Sequence, residues 1–282
     1  MSRLSRHFPR NLSGSIRRFS STSSTRSRPA TLFTLGLSTL AVGGAYTLGS
    51  VYPPPPLALL FPQPAPPPPT DPSDPAYTAH LQNIENQLQS LSLLQSLRSS
   101  SSAEEWYESR PYSNFPEDKR LHHLTAGALR GPGRLAIPPL VRARYDESES
   151  MVFIHLGRGL CGHDGIVHGG LLATLLDETM ARTAINNLPE RIGVTATLDL
   201  SYRAPTKADQ FVVIKTKLID VKGRKANVEA RVEDMNGTLL VEAKAMFVQP
   251  RYANLLNKAA IRQVLGEPPV RGGEELGLAK GK

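Results

Sequence analysis

The segment from Val167 to about Ile185 restricts the fold more than any other. Leu171, Leu172, Leu175, Leu176 and Met180 spread apolar surface over much of a helical circumference. A helix of that kind has to be buried. The flanking sequence supplies strands to bury it. Met151 to Leu156 reads as one strand. Beyond the helix, Val194, Ala196, Leu198, Leu200 and Tyr202 alternate with polar residues at the period of a strand. Phe211 to Ile219 follows, and then Ala226, Val228, Ala230 and Val232 alternate with Asn227, Glu229, Arg231 and Glu233. Asn236-Gly237 signals a hairpin before Val241, Ala243, Ala245 and Phe247. One helix cannot cover so many strands unless the sheet curls around it. The expected architecture is α+β: a strand, one long central helix and four strands in a meander, with the antiparallel sheet wrapped around the helix.

Two acids stand in mid-helix, Asp177 and Glu178. A buried carboxylate needs a partner or a task. Glu178 lies four residues before Arg182, the spacing of a favourable exposed ion pair. Asp177 has no such partner. About 100° of rotation separates the two side chains, so they do not point into one site. The helix begins at Gly165-Ile166-Val167-His168-Gly169-Gly170. Its first N–H groups have no intrahelical acceptor, and the helix dipole favours negative charge there. The glycines let a carbonyl oxygen come close to the backbone. Such a terminus is an oxyanion hole in kind.

The run His-Gly-Gly-Leu-Leu-Ala-Thr-Leu-Leu-Asp at 168–177, set in this frame, resembles the hotdog-fold acyl-CoA thioesterases. The likeness is nearest to the phenylacetyl-CoA type and the mitochondrial long-chain acyl-CoA type. It covers residues 131–250. The resemblance implies a hotdog fold and hydrolysis of medium- to long-chain fatty acyl-CoA to free acid and CoA. It implies that Asp177 is the nucleophile or the general base on water. It implies that N–H groups near Gly169 and Gly170 bind the thioester oxygen, and that His168 shapes the turn. Thr-Ala-Thr-Leu-Asp-Leu-Ser-Tyr-Arg-Ala-Pro at 195–205 resembles the strand that follows, where the residue matching Thr195 orients the water. The alternation puts Thr195 on the polar side of its strand, opposite Val194 and Ala196. No cofactor and no metal is expected.

Gly170 and Asp177 are seven residues apart, about 10 Å along a helix. A reacting carbon must sit about 3 Å from its nucleophile with its oxygen at the donors. One straight helix cannot supply both. The glycine and the acid of each site should therefore come from different chains, in a homodimer or a dimer of dimers. Coenzyme A carries phosphates, and the candidate cations for them are Arg203, Lys207 and the turn residues Arg224 and Lys225. A basic hairpin turn also serves simply as a solvated loop.

Other readings stay open. An acyl-thioester dehydratase or hydratase would use His168 or His163 as its base. Cys161, the single cysteine, would be a nucleophile with either histidine, or a zinc ligand with both, although a fourth ligand is not evident. A membrane-tethered scaffold would bind acyl-CoA without turnover.

The N-terminal part has a separate character. Residues 1–30 hold seven arginines and no acid, and the first acidic residue is Asp71. This composition is that of a mitochondrial transit peptide. Without those arginines, 26 Lys and Arg remain against 25 Asp and Glu. The folded part thus lacks the basic excess expected of a nucleic-acid partner. Residues 31–52 carry neither charge nor proline, and as a helix of about 33 Å they would cross a bilayer. The basic flank would stay on the matrix side. That predicts a single-pass inner-membrane protein with its globular part in the intermembrane space. Residues 53–76 form a proline-rich, extended linker. In the extension 77–130, Leu81, Ile84, Leu88 and Leu91 follow helical spacing. That helix should pack on the core domain or on its copy in a partner chain. Residues 251–282 read as a short helix and a tail.

Overall fold

The computed structural model describes residues 40–46 and 67–255, apart from 114 and 164. Two units are distinguished, residues 1–65 and 66–282. The transit-peptide expectation falls outside the described residues. Of the expected membrane span 31–52, only 40–46 are described, and they are helical and exposed. Among the described residues, no helix is long and apolar enough to cross a membrane. Most of the linker and of the C-terminal tail also lies outside them.

The second unit is built on a seven-stranded antiparallel sheet. Its strands are β1 (Trp106–Ser109), β2 (Leu140–Arg144), β3 (Glu149–Leu156), β6 (Val194–Tyr202), β7 (Gln210–Lys222), β8 (Lys225–Asp234) and β9 (Leu239–Val248). β4 (Cys161–His163) and β5 (Ile166–Val167) form a small separate ribbon. The sheet order is β1-β2-β3-β7-β8-β9-β6. The expected meander is therefore corrected. β7, β8 and β9 do run as neighbours, joined by tight turns such as the one at Gly237, where φ is +82°. β6 instead pairs with β9 at the far edge, and β3 takes the place beside β7. Alternation in sequence marks each strand but carries no information about which neighbour it will find.

The central helix (Gly169–Asn187) lies on the inner face of this sheet. Leu172, Leu175, Leu176, Met180 and Ala184 are buried there against Val152, Ile154, Val212, Ile214 and Phe247. The opposite face of β3 and β7 is also apolar. Phe153, Phe211 and Val213 alternate with the inward set and meet a second cluster. That cluster belongs to a pair of N-terminal helices, Pro75–Ser90 and Ser92–Arg98. Asp74 caps the first by accepting from the Ala76 N–H at 2.8 Å, and a proline follows at the first helical position. Ile84, Leu88 and Leu94 are then pressed onto the outer face of the chain's own sheet. The sheet itself starts at Trp106, well before the boundary expected at residue 131.

The N-terminal helices hence complete the core by covering an apolar face that water would otherwise meet. Leu88 is fully buried there. Leu88→Ala should destabilise the fold by about 2–5 kcal/mol in chemical denaturation, the range for deleting a buried leucine side chain. A loss within about 0.5 kcal/mol, the range typical of surface substitutions, would mean that these helices do not hold to the sheet in solution.

Candidate active site

The entrance to the central helix is organised by His168. It is the residue before the first helical turn, and its Nδ1 accepts the Gly170 N–H at 2.9 Å. The imidazole reaches this position because glycines stand on both sides of it. A Cβ on Gly170 would come within 2.9 Å of the ring, and one on Gly162 would do the same from the other side. The two sequence-predicted glycines are thereby distinguished. The Gly170 N–H is taken by His168. The Gly169 N–H has no acceptor among the described residues, as expected for the first residue of a helix. The Gly169 carbonyl accepts from the Tyr202 hydroxyl at 2.8 Å. The sequence marks Tyr202 only as an alternating strand residue, since a contact across 33 positions leaves no local signal.

Asp177 lies two turns further along, half-buried. Thr195 Oγ1 donates to its Oδ1 at 2.7 Å. Plain alternation would place Thr195 on the outer, polar side of β6. A bulge corrects this: the register shifts between Thr195 and Thr197, leaving Ala196 as an extra residue. Thr195 then stands opposite Phe247, which is fully buried on the inner face, while Thr197 stands opposite Met246. Cross-strand partners share a face. One inserted residue thus turns Thr195 towards the helix.

Glu178 differs from expectation. Arg182 is buried and directs its guanidinium to Glu147, at 2.9 Å, and to the Tyr107 hydroxyl. Glu178 is also largely removed from water. Its two carboxyl oxygens accept from Thr125 Oγ1 at 2.6 Å and from the Tyr112 hydroxyl at 3.0 Å. The exposed Glu178–Arg182 pair is thus replaced by two interior networks, both closed by residues far away in sequence. Burial pushes the Glu178 carboxyl above the ordinary glutamate range, the neighbouring Asp177 charge adds to this, and the two hydroxyl donors oppose it. Burial and the Glu178 charge also raise the Tyr112 phenol.

The four candidate cations separate into two groups. Arg203 and Lys207 follow the end of β6 that holds Tyr202 and Gly169. Arg203 is paired with Glu242 at 2.8 Å. Arg224 and Lys225 stand at the other end of β6, where Val194 and Lys225 flank the same residue, Val248. Seven strand residues, about 23 Å, separate the two groups along β6. Among the described residues no cluster of three or more His, Cys, Asp or Glu side chains is placed to hold a metal.

A thioesterase superfamily model matches residues 164–241, the central helix with β6, β7, β8 and the start of β9. An uncharacterised protein of Schizosaccharomyces pombe is 33% identical over 158 residues, which span 55% of this chain and 87% of that protein. The chain belongs to the thioesterase superfamily. It is also similar to an uncharacterised mitochondrial membrane protein of Saccharomyces cerevisiae, with 35% identity over 44% of this chain and 52% of that one. An acyl-coenzyme A thioesterase of Mus musculus is 33% identical over 36% of this chain and 44% of its own length. The chain spans about half the length of the curated relatives it matches first.

The raised Glu178 carboxyl has a measurable consequence. Its native pKa lies above its unfolded value, so its contribution to stability is full below the ordinary value of 4.5 and is lost as pH rises through the native one. Glu178→Gln does not titrate. In thermal melts from weakly acidic to neutral pH, the variant should gain on the wild type as pH rises, after which the difference should stay constant. A difference independent of pH would show that Glu178 is not desolvated.

Proposed function

We propose that this chain hydrolyses acyl-CoA thioesters, with medium- to long-chain fatty acyl groups preferred. The observation that carries the reading is the Thr195–Asp177 hydrogen bond, formed through a bulge in β6. A hydroxyl that donates to the carboxylate leaves its own lone pairs facing the same space, where a water can be held and oriented. Asp177 then takes a proton from that water as it attacks the thioester carbon, or attacks the carbon itself. The departing thiolate is a stable leaving group and needs no strong acid.

The carbonyl oxygen needs donors as its charge grows. The Gly169 N–H suits this better than the Gly170 N–H, which His168 already holds. Gly169 and Asp177 are eight residues apart, about 12 Å along the axis, so one helix cannot serve one carbonyl with both. β6 is the outermost strand of the sheet, and much of it is exposed. An uncovered edge of nine residues is suited to pairing with a second copy. Such a dimer would supply Asp177 from one chain and Gly169 from the other, and would also join Arg203 and Lys207 of one chain to Arg224 and Lys225 of its partner for the CoA phosphates. The N-terminal helices close the outer face of β3 and β7, which leaves the β6 edge as the favoured contact.

A dehydratase using His168 as base is disfavoured, because Nδ1 is occupied as an acceptor and the neutral ring then carries its proton on Nε2. The similarity to a mitochondrial membrane protein supports a mitochondrial location. Residues 31–52 would provide the anchor in the inner membrane, with the enzyme in the intermembrane space.

Asp177→Asn should abolish acyl-CoA hydrolysis with the fold unchanged by circular dichroism; retained turnover would sink the mechanism. Gly169→Pro removes one N–H at the helix position where proline is best tolerated, and His168 at ψ 127° already has a backbone compatible with a following proline. It should lower kcat by about 10²–10³. Mixing the two variants under conditions of subunit exchange should restore part of the activity. Absence of recovery despite demonstrated exchange would rule out the shared site.

A further inference from the structure

A cavity of about 70 Å³ lies between the central helix and the sheet, on the side away from Thr195. Its walls are Leu175 and Thr179 from the helix and Val141, Val152 and Ile154 from β2 and β3. The segment before β2 roofs it; Glu178 with Thr125 and Tyr112 makes one polar part of the wall, and Arg120, Arg130 and Arg182 also line it. Native interiors hold few voids larger than a water molecule. An apolar void of this size beside the proposed catalytic helix therefore needs an account.

Helix geometry links it to Asp177. At about 100° per residue, Glu178 stands about 100° from Asp177, with Ala181 at about 40° and Thr174 at about 60° between them. Both intervening side chains are small. The Thr174 hydroxyl is turned to the Gly170 carbonyl at 3.0 Å, so its methyl group is what remains on the surface. A chain leaving the Asp177 carboxylate can thus cross the helix over Ala181 and Thr174. Glu178 does not obstruct it as a free charge, because both its oxygens are engaged.

We propose that this cavity receives the distal end of the acyl group, and that the Glu178–Thr125–Tyr112 wall sets how far the group can extend. This rests on the acyl-CoA hydrolysis reading and adds to it the residues that limit the acyl chain. A cavity that holds benzene measures about 150 Å³, roughly twice this one. The ligand end that fits is a straight aliphatic chain, not an aromatic ring. Thr125 and Tyr112 belong to the segment before the matched superfamily region, so this chain's own extension determines its specificity.

The test uses the full chain and two substitutions of opposite effect, Thr179→Met to fill the cavity and Val152→Ala to enlarge it. Hydrolysis is followed across straight-chain acyl-CoAs from butanoyl to stearoyl, with phenylacetyl-CoA beside them. A methylene in an apolar pocket is worth about 10–200-fold in discrimination. Thr179→Met should move the optimum to shorter chains, with at least about a tenfold larger loss of kcat/KM on the longest accepted acyl group than on butanoyl-CoA. Val152→Ala should move it the other way, and phenylacetyl-CoA should be the poorer substrate in the wild type. An unmoved optimum, equal losses at all lengths, or a preference for phenylacetyl-CoA would overturn the proposal. Melting-temperature shifts with straight-chain fatty acids read the same pocket without turnover. Should the wild type bind these acids in a way that Thr179→Met shortens, yet hydrolyse no acyl-CoA, the pocket stands and the hydrolysis reading falls. If it neither binds nor hydrolyses, both fall.

Discussion

Burying one helix that is apolar on most of its surface is the constraint from which the rest of this structure follows. Leu172, Leu175, Leu176, Met180 and Ala184 leave no broad face for water, so a single sheet has to close around the helix. A sheet that does so has a second face, and on β3 and β7 that face is apolar too. The N-terminal helices exist structurally to cover it. The order of layers is therefore extension, sheet, helix, each required by the one beneath.

The same constraint governs the polar groups of the helix. Asp177 and Glu178 are adjacent in sequence but meet different surroundings. Asp177 is turned towards the exposed edge strand and receives one hydroxyl. Glu178 is turned into the interior and receives two. The first environment keeps a carboxylate near water, at the edge of the sheet. The second desolvates it, which raises its proton affinity above that of an ordinary glutamate. Two like residues in succession thereby acquire opposite surroundings, and only Asp177 is suited to the proposed chemistry.

Small departures from regularity carry much of the function. Without the extra residue at Ala196, Thr195 would face outward with Thr197 and the carboxylate would lose its only hydroxyl donor among the described residues. Without glycine at 162 and 170, the imidazole could not fold back to cap the helix, and the choice between the Gly169 and Gly170 N–H groups would not be made. These features cost regular pairing or side-chain packing, and the proposed site lies where both occur.

The sequence by itself determined the elements: the period of the apolar residues marks the central helix and the strands after it, and the His-Gly-Gly run and Asp177 mark the two halves of the proposed site. These are local signals, set by backbone geometry within a few residues. Only the tertiary structure decided the neighbours. The pairing of β6 with β9, the partners of Glu178 and Arg182, the Tyr202 contact to Gly169 and the inward turn of Thr195 each join positions 18 to 75 residues apart. Alternation states which side of a strand is apolar, but not which strand lies beside it, nor that one bulged residue exchanges the sides. Those outcomes depend on how the whole sheet closes on the helix, and no segment of the chain contains them alone.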